Sequence, residues 1–393
     1  MADSRWGHWK GLLETTDAAA SGYNHNMNFT HVSYAQQIRF GSGVITEAGR
    51  MAQELGVERL ILVTTARGRA SAAVQRLAAS LGERLVASFE GVRSHVPEST
   101  VREALELVHA NGIDAVVSFG GGSCADLGKA LCYFVERDRG KSAGGVLQRP
   151  ALPHIAIPAT YSGAEITPFF GMTDEVARRK SGAGGPTIAP AGVLYDPEVT
   201  LDLPALISAE TGMNALAHCV EAAWSPSRTV EAEALAYAGA ERIYRWLPQV
   251  VRRPMDFEAR SEMLAGALLG GRCLQNASMG VHHGLAQLIG GRTGIAHGLA
   301  NAVILAHAVR FNADVVPEVT ARLAALFGRR DGDAAAAIDD LRGQLGLPAR
   351  LSDCGVGAED IEAVARLSTE NAAVAKNPKP VTEQDALAIL NGA

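Results

Sequence analysis

The chain has 393 residues, of which 47% are apolar and 20% charged, and its formal net charge is −6. A single hydrophobic core stops growing at about 250–300 residues, so two domains are expected. The sequence has neither the basic stripe of a nucleic-acid-binding protein nor the ~18 consecutive apolar residues of a membrane span. Its five cysteines contain no CxxC pair, so we expect a cytoplasmic protein with reduced thiols.

The first half of the chain alternates strand patterns with helical patterns. Residues 1–30 form a polar leader, which we predict to be an arm that packs on a partner subunit. Short aliphatic runs then predict strands buried on both faces, at residues 59–65, 85–89, 114–119 and 153–158. Helical spacing covers residues 45–55, 70–81 and 100–111, and Gly112 is placed as the cap of the last helix. Strands separated by helices predict βαβ units in a parallel sheet.

The second half is rich in Ala, Leu and Glu, and its pattern predicts helices. These are predicted at residues 208–224, 229–248, 257–275, 280–290, 299–310, 333–345 and 358–367. Turn-forming residues at 195–204 supply a boundary. We therefore predict an N-terminal arm (1–30), an α/β dinucleotide-binding domain (31–198) and an all-helical catalytic domain (199–393).

A glycine-rich loop, Phe119–Ser123, follows the third predicted strand and opens a helix over 125–135. Glycines let the backbone approach an anion, and the free N–H groups of a helix N-terminus point at it, so the loop suits a pyrophosphate. The loop matches neither G-x-G-x-x-G nor a P-loop, and a plain tight turn remains an alternative. A second polar loop at 158–165 follows the next strand, at the edge where open α/β sheets bind ligands, although an ordinary capped βα connection would look the same.

Several histidines occur in a suggestive pattern. Asn214 and His218 are four residues apart and share one helix face, while the His282–His283 pair and His297 follow in later segments. Such a set could surround a divalent metal ion, and each histidine taken alone is equally compatible with a hydrogen-bonded core residue. Asn214 supplies an amide without negative charge, which argues against a dication.

These motifs, in this order, resemble the iron-containing (group III) alcohol dehydrogenase superfamily, whose architecture is similar to that of dehydroquinate synthase. Within it the chain looks most like the maleylacetate reductase branch. The resemblance runs from about residue 28 to the C-terminus, and it is carried by the segments 119–123, 128–130, 159–168, 194–197, 212–218, 282–283, 296–298 and 377–381.

The resemblance implies a ligand set and also reveals departures from it. In metal-dependent relatives an Asp and three His bind the cation, and the matching positions here are Asn214, His218, His283 and His297. The Asp-to-Asn replacement resembles the maleylacetate reductase branch, whose members look metal-independent. That branch reads His-His-Lys-Leu-Cys-His where this chain has His282–His283–Gly284–Leu285–Ala286–Gln287, which places maleylacetate itself in question as the substrate.

The resemblance further implies NADH or NADPH across the glycine loop, with the nicotinamide end near the second polar loop. The absence of an acid after the first predicted strand makes NADPH plausible, with Arg67 or Arg69 at the 2′-phosphate. The cofactor-binding residues predicted in this way are Thr64, Arg67, Gly121, Gly122, Ser123, Asp126, Thr160, Tyr161 and Ser162.

With a metal absent, His218, His283 and His297 are the predicted catalytic residues, because imidazole can both polarise a carbonyl and donate a proton. The sequence thus predicts a homodimeric, metal-independent NAD(P)H-dependent reductase of a small keto acid or carbonyl compound, possessing no nucleic-acid or membrane partner. Two alternatives stay open. One is a metal-dependent (Fe or Zn) alcohol dehydrogenase that tolerates Asn214, and the other is a non-redox lyase, cyclase or inactive cofactor-binding subunit on the same fold.

Overall fold

The computed structural model describes residues 29–140, 145, 148–176 and 179–393, so the predicted N-terminal arm lies outside the described residues except for its last two positions. Eight strands occur in this part of the chain. They are β1 (Gln37–Phe40), β2 (Leu60–Val63), β3 (Leu85–Phe89), β4 (Ala115–Gly120), β5 (His154–Pro158), β6 (Phe169–Asp174), β7 (Arg179–Gly184) and β8 (Gly192–Tyr195).

Six of these strands form one parallel sheet in the order β1-β8-β5-β4-β2-β3. The predicted parallel sheet is therefore confirmed. The central strands are fully buried, as their continuous aliphatic runs require when helices cover both faces of a sheet. The sequence patterns missed β1, which lies at the edge with a half-exposed residue pattern, and β8, which has four residues and begins with glycine.

The remaining two strands pair as an antiparallel hairpin that the sequence analysis also missed. Its second strand contains the glycine-rich stretch 181–185, which reads as loop composition. A Cβ on Gly182 would lie 2.5 Å from the carbonyl oxygen of Phe170, and one on Gly184 would lie 2.9 Å from Cβ of Phe169. Glycine is present here because the two strands approach too closely for a side chain, and not because the segment is a linker.

The helices account for most of the remaining described chain. They are α1 (Ala48–Leu55), α2 (Ala66–Arg69), α3 (Ala72–Leu81), α4 (Glu98–Ala110), α5 (Gly122–Asp138), α6 (Ala205–Trp224), α7 (Val230–Arg252), α8 (Phe257–Asn276), α9 (Val281–Thr293), α10 (His297–Asn312), α11 (Pro317–Leu326), α12 (Ala334–Gln344), α13 (Ala358–Ser368) and α14 (Glu383–Gly392). The predicted helices are confirmed. Gly112, the predicted cap of α4, lies one residue beyond the observed one: Asn111 caps the helix, and Gly112 follows it with φ +57°. None of the described helices is long and apolar enough to span a bilayer.

The helical half packs around α6, which is buried along most of its length. Small residues allow this packing: a Cβ on Gly270 of α8 would lie 2.9 Å from the carbonyl oxygen of Ala215 on α6. Residues 31–393 form one compact unit. The architecture changes between Tyr195, where the last strand ends, and Ala205, where α6 begins; the division into domains at residues 198 and 199 stays a prediction.

Candidate active site

The glycine loop lies where the sequence placed it, between β4 and the N-terminus of α5. Gly120 has φ +141°, and a Cβ there would lie 2.6 Å from Sγ of Cys124. Gly121 caps the helix without a side chain, and the N–H of Cys124 already donates to the carbonyl oxygen of Gly121. The N–H groups of Gly122 and Ser123 at the start of α5 are therefore the ones available to a ligand. A 17-residue helix that begins in this way presents a positive N-terminus to an anion.

The second polar loop contacts the first. A Cβ on Gly121 would lie 3.1 Å from Cγ2 of Thr160, and one on Gly122 would lie 3.3 Å from Oγ of Ser162. The two loops meet because β4 and β5 are neighbours in a parallel sheet, whose carboxyl ends share one edge. The structure therefore brings together the predicted residues of both loops.

The end of β2 supplies a third segment at this edge, since β2 pairs with β4. Thr64 is buried, and within the described chain its Oγ1 has no hydrogen-bond partner. Thr65 caps α2 by accepting a hydrogen bond from N of Gly68 at 3.0 Å. Arg69 pairs with Glu90 at 3.1 Å, while Arg67 is exposed. Of the two arginines offered for a 2′-phosphate, Arg69 is thus already neutralised.

Lys129, one turn after Asp126 on α5, is fully buried and ties the helix to the second loop. Its Nζ donates to the carbonyl oxygen of Ala164 at 2.7 Å and to Oγ1 of Thr167 at 2.9 Å, and it pairs with Asp126 at 2.8 Å. Lys129 belongs to the segment 128–130 that carries the family resemblance, and the sequence alone gave it no function. Asp126 is its counter-ion, so the predicted contact of Asp126 with a cofactor remains a prediction.

Tyr161 points away from the loop surface, into the helical core. Its side chain is fully buried, and its hydroxyl accepts a hydrogen bond at 3.0 Å from Nη1 of Arg260, a buried arginine on α8 that also donates to Oγ of Ser208 at 2.8 Å. Only the backbone of Tyr161 is therefore placed to contact a cofactor. Arg260 carries no sequence signal, because its acceptors on Tyr161, Ser208 and Leu203 come from distant parts of the chain.

The predicted histidines lie together, on three helices. His218 is on α6, His283 on α9 and His297 at the first position of α10. The rings of His218 and His283 stack with centroids 4.7 Å apart, and the centroids of His283 and His297 are 6.3 Å apart. Asn214, one turn before His218, donates from Nδ2 to the carbonyl oxygen of Ser162 at 3.4 Å. This contact places the cluster beside the second polar loop.

Burial favours the neutral forms of His218 and His283. It lowers the pKa of His218 well below the ordinary histidine value, with a further contribution from His283 and His297. Burial also lowers the pKa of His283, although Glu221 opposes that shift. Three buried polar atoms have no partner within the described residues, namely Oδ1 of Asn214, Nδ1 of His218 and Nε2 of His283. Since such an atom costs about 1–3 kcal/mol when left unsatisfied, this is a place for a polar ligand.

Two residues of the site were missed or under-used by the sequence analysis, Glu221 and His282. Glu221 is fully buried on α6, and its Oε2 accepts from Nδ1 of His283 at 2.6 Å. Burial opposes its ionisation, but hydrogen bonds from His282 and His283 outweigh it and hold the pKa of Glu221 well below the usual range. Its spacing of three residues after His218 is the signal that could have identified it.

A metal ion could be held in one of two ways, and both donor sets fit it poorly. The ligand atoms of Glu221, His282 and His283 lie within 4.8 Å of one another. In the structure these atoms are bonded internally, because Glu221 accepts from backbone N–H groups as well as from His283, and Nε2 of His282 lies 2.9 Å from the carbonyl oxygen of Asn301.

The second set is the one that the family resemblance implies: Asn214, His218, His283 and His297. It offers an amide and three neutral imidazoles, with no carboxylate to offset a dication. The residues therefore do not fit the iron of the metal-dependent relatives.

Comparisons with known proteins agree with this arrangement. Residues 35–197 match the family model for iron-containing alcohol dehydrogenase, and residues 208–393 match the C-terminal model of the same family. The chain is 35% identical over 365 residues to a maleylacetate reductase of Rhizobium sp. strain MTP-10005, covering 93% of this chain and 97% of that one.

Solved structures of similar proteins share the fold. The maleylacetate reductase of Agrobacterium tumefaciens superposes with a TM-score of 0.82 at 33% identity, over 93% of this chain and 97% of that one. A sulfoacetaldehyde reductase of Bifidobacterium kashiwanohense in complex with NAD+ gives a TM-score of 0.84 at 26% identity, over 93% and 98% of the two chains. The chain therefore belongs to the iron-containing alcohol dehydrogenase family, as an oxidoreductase similar to the maleylacetate reductases.

Proposed function

We propose that the protein is a nicotinamide-dependent reductase of a small keto acid or carbonyl compound, and that it works without a bound metal ion. The observation that carries the proposal is the position of the unpartnered atoms of Asn214, His218 and His283 next to the loop that contacts the glycine loop. A carbonyl substrate placed there would lie between polar donors and a dinucleotide. The similarity to maleylacetate reductases supports the same reaction class.

The cofactor is proposed to be NADH or NADPH. The pyrophosphate would bind at Gly121, Gly122 and Ser123, where α5 begins without a side-chain cap. Thr160 and Ser162 contact this loop and would border the nicotinamide. Thr64 and the exposed Arg67 lie at the same edge, at the adenosine end. The NAD+ complex of the sulfoacetaldehyde reductase supports this type of cofactor for the fold.

The chemistry follows from charge development at the carbonyl oxygen. A bound dihydronicotinamide would supply a hydride to the carbonyl carbon, and negative charge would then develop on the carbonyl oxygen. His218, His283 and His297 surround that position, where they stabilise the oxyanion and deliver the proton that completes the hydroxyl group. General acid catalysis of this kind contributes about 10²–10⁴ in rate.

A metal-dependent alcohol dehydrogenase is the second candidate, and a specific observation favours it. Glu221, His282 and His283 are close enough to share one cation if their internal hydrogen bonds open. The two candidates differ in metal content and in sensitivity to chelators. They do not differ in fold.

The experiment is a purification without chelator, followed by quantification of bound Fe and Zn and by assays of NADH and NADPH oxidation with maleylacetate and other keto acids. We expect turnover with far less than one metal per chain and no effect of chelator. Asn214→Asp is the matched comparison, because a carboxylate at this position adds the missing charge and is expected to raise metal retention. Wild-type metal near one per chain, with activity lost on chelation, would contradict the metal-free proposal.

We also propose that the protein is a cytoplasmic homodimer whose residues 1–30 contact the partner subunit. Light scattering of the full chain and of a variant lacking those residues tests this. A monomeric full chain, or a dimer indifferent to the deletion, would contradict it.

A further inference from the structure

One buried carboxylate lies behind the histidine cluster without facing the position of the substrate. We propose that Glu221 is a positioning residue, which holds His283 with a hydrogen on Nδ1 and so makes Nε2 the atom that exchanges a proton with the substrate oxygen. This inference rests on the proposed function, in which His283 acts on the carbonyl oxygen. It assigns to one of the three histidines a defined orientation and a defined reactive atom.

The hydrogen bonds fix the tautomer of His282 first. Its Nε2 lies 2.9 Å from the carbonyl oxygen of Asn301, and a carbonyl oxygen can only accept, so Nε2 carries the hydrogen. Neutral His282 then has a bare Nδ1. That atom lies 3.2 Å from Nδ1 of His283.

The tautomer of His283 follows from its two neighbours. Two bare nitrogens at 3.2 Å would repel each other, so Nδ1 of His283 must carry the hydrogen. Oε2 of Glu221 lies 2.6 Å from the same nitrogen and accepts that hydrogen. Nε2 of His283 is left as the bare nitrogen, and it is one of the buried atoms without a partner within the described chain. A carboxylate that fixes the tautomer of a functional histidine is a common arrangement in enzymes.

Glu221 cannot turn away from this task, because the N-terminus of α9 holds it. Its Oε1 accepts from N of Gly280 and from N of His282, both at 3.0 Å, and its Oε2 accepts from N of His283 at 3.3 Å. The helix N-terminus also favours a negative charge. A Cβ on Gly280 would lie 3.1 Å from Oε1 of Glu221, so glycine is needed for this close approach.

A second side chain anchors the same turn from the C-terminal segment. Oδ1 of Asn377 accepts from N of Val281 at 3.2 Å, and Nδ2 of Asn377 donates to Oδ1 of Asn312 at 2.7 Å. Asn377 begins the segment 377–381 that carries the family resemblance. It therefore anchors the start of α9, although it lies far from the histidine cluster in sequence. Together, Glu221 and Asn377 fix the start of the helix that carries His283.

Glu221→Gln tests the proposal with nearly unchanged shape. The amide oxygen would take the place of Oε1, where it meets two N–H groups. The amide NH₂ would then face N–H and Nδ1–H of His283, donor against donor. We expect His283 to move its hydrogen to Nε2, which puts the bare nitrogen at Nδ1, on the side away from the substrate. Without a hydrogen held on Nδ1, the ring loses proton exchange with the substrate oxygen through Nε2.

The first readout is the tautomer of His283, from ¹⁵N chemical shifts of histidine-labelled protein without substrate. We expect the wild type to carry its hydrogen on Nδ1 and the variant on Nε2. The second readout is kinetic: kcat should fall about 10–100-fold, with the dissociation constant of NADH unchanged by fluorescence titration. Glu136→Gln is the matched control, because Glu136 is also buried and accepts from N of Ala151 and the hydroxyl of Thr187, away from the cluster.

Two outcomes would overturn the proposal. One is a wild-type His283 with its hydrogen on Nε2, a result that needs no variant to fold. The other is a folded Glu221→Gln enzyme with the kcat of the wild type. Because the tautomer and NADH binding are measured without substrate, failure to find any reducible keto acid would contradict the proposed function alone.

Discussion

The sheet edge and the histidine cluster are built by different means. At the sheet edge the ligand-binding groups are backbone N–H groups, and glycines create the space around them: Gly120, Gly121 and Gly122 follow one another directly in the chain. In the cluster the functional groups are side chains carried by α6, α9 and α10, up to 83 positions apart from Asn214 to His297. Asn214, His218 and His283 are buried, and His297 is half-buried. The first region is a local motif, and the second exists only after the helices pack.

This difference has an energetic consequence. Backbone N–H groups at a helix N-terminus that reach solvent cost little when no ligand is bound. Buried imidazoles and amides without partners do cost stability, and the surrounding fold must offset that cost. We therefore expect substitutions in the cluster to affect chemistry most, and substitutions at the sheet edge to affect cofactor affinity most.

The largest expected effect comes from His218→Gln. It removes an imidazole from the cluster while retaining a polar side chain, so kcat should fall about 10²–10⁴-fold with no change in NADH affinity. Steady-state kinetics and fluorescence titration measure the two quantities. His307→Gln, on the half-buried part of α10, is the control and should keep the wild-type kcat. A His218 variant with normal kcat would show that His218 takes no part in the chemistry, and it would contradict the assignment of the chemistry to the histidine cluster.

A smaller and complementary effect is expected from Gly121→Val. The new side chain would begin 3.1 Å from Cγ2 of Thr160 and would fill the space where the two loops meet. We expect dinucleotide binding to weaken roughly 10–100-fold, or about 1.4–2.8 kcal/mol. Titration with NADH and NADPH measures this change. The control is Gly343→Val on α12, where an added Cβ has no neighbour within 4 Å. Unchanged affinity in the Gly121 variant would show that the dinucleotide does not use this loop.

The smallest effect on activity is expected at a histidine that is buried but lies outside the histidine cluster. His154 of β5 is as deeply buried as the cluster histidines, and it bonds Oγ of Ser118 at 2.7 Å. Burial, followed by repulsion from Lys129, lowers its pKa to about 3, so it is neutral when folded and takes up a proton near pH 6.5 when unfolded. Because the unfolded state binds more protons, stability falls as the pH drops from about 6.5 toward 3, by about 1.4 kcal/mol per pH unit for this group.

His154→Gln should therefore flatten the pH dependence of the free energy of unfolding below pH 6.5 by that slope, without changing kcat. Urea titrations at several pH values measure it. The exposed His109, paired with Asp138, is the matched control site, and His109→Gln should lack this effect. Parallel pH dependences of the free energy of unfolding for wild type and His154→Gln would show that the buried imidazole binds a proton as readily in the folded state as in the unfolded state. A changed kcat would indicate that this sheet histidine takes part in the chemistry.

The sequence by itself determined the features that local patterns can carry. The parallel sheet follows from aliphatic runs separated by helices, and the glycine loop follows from adjacent residues whose spacing alone suits an anion. The helices of the second half follow from their composition and periodicity. Asn214 and His218 share a helix face because α-helical geometry repeats at four residues.

The tertiary structure decided what depends on packing between distant segments. Only the fold shows that Tyr161 turns into the core toward Arg260 and that Lys129 ties α5 to the second polar loop. Only the fold shows that Gly182 and Gly184 allow two strands to approach each other closely. Only the fold places Glu221 behind His283, 62 positions later in the chain. The physical reason is that burial, hydrogen-bond partners and pKa shifts arise from contacts across the chain, which no pattern along the chain encodes.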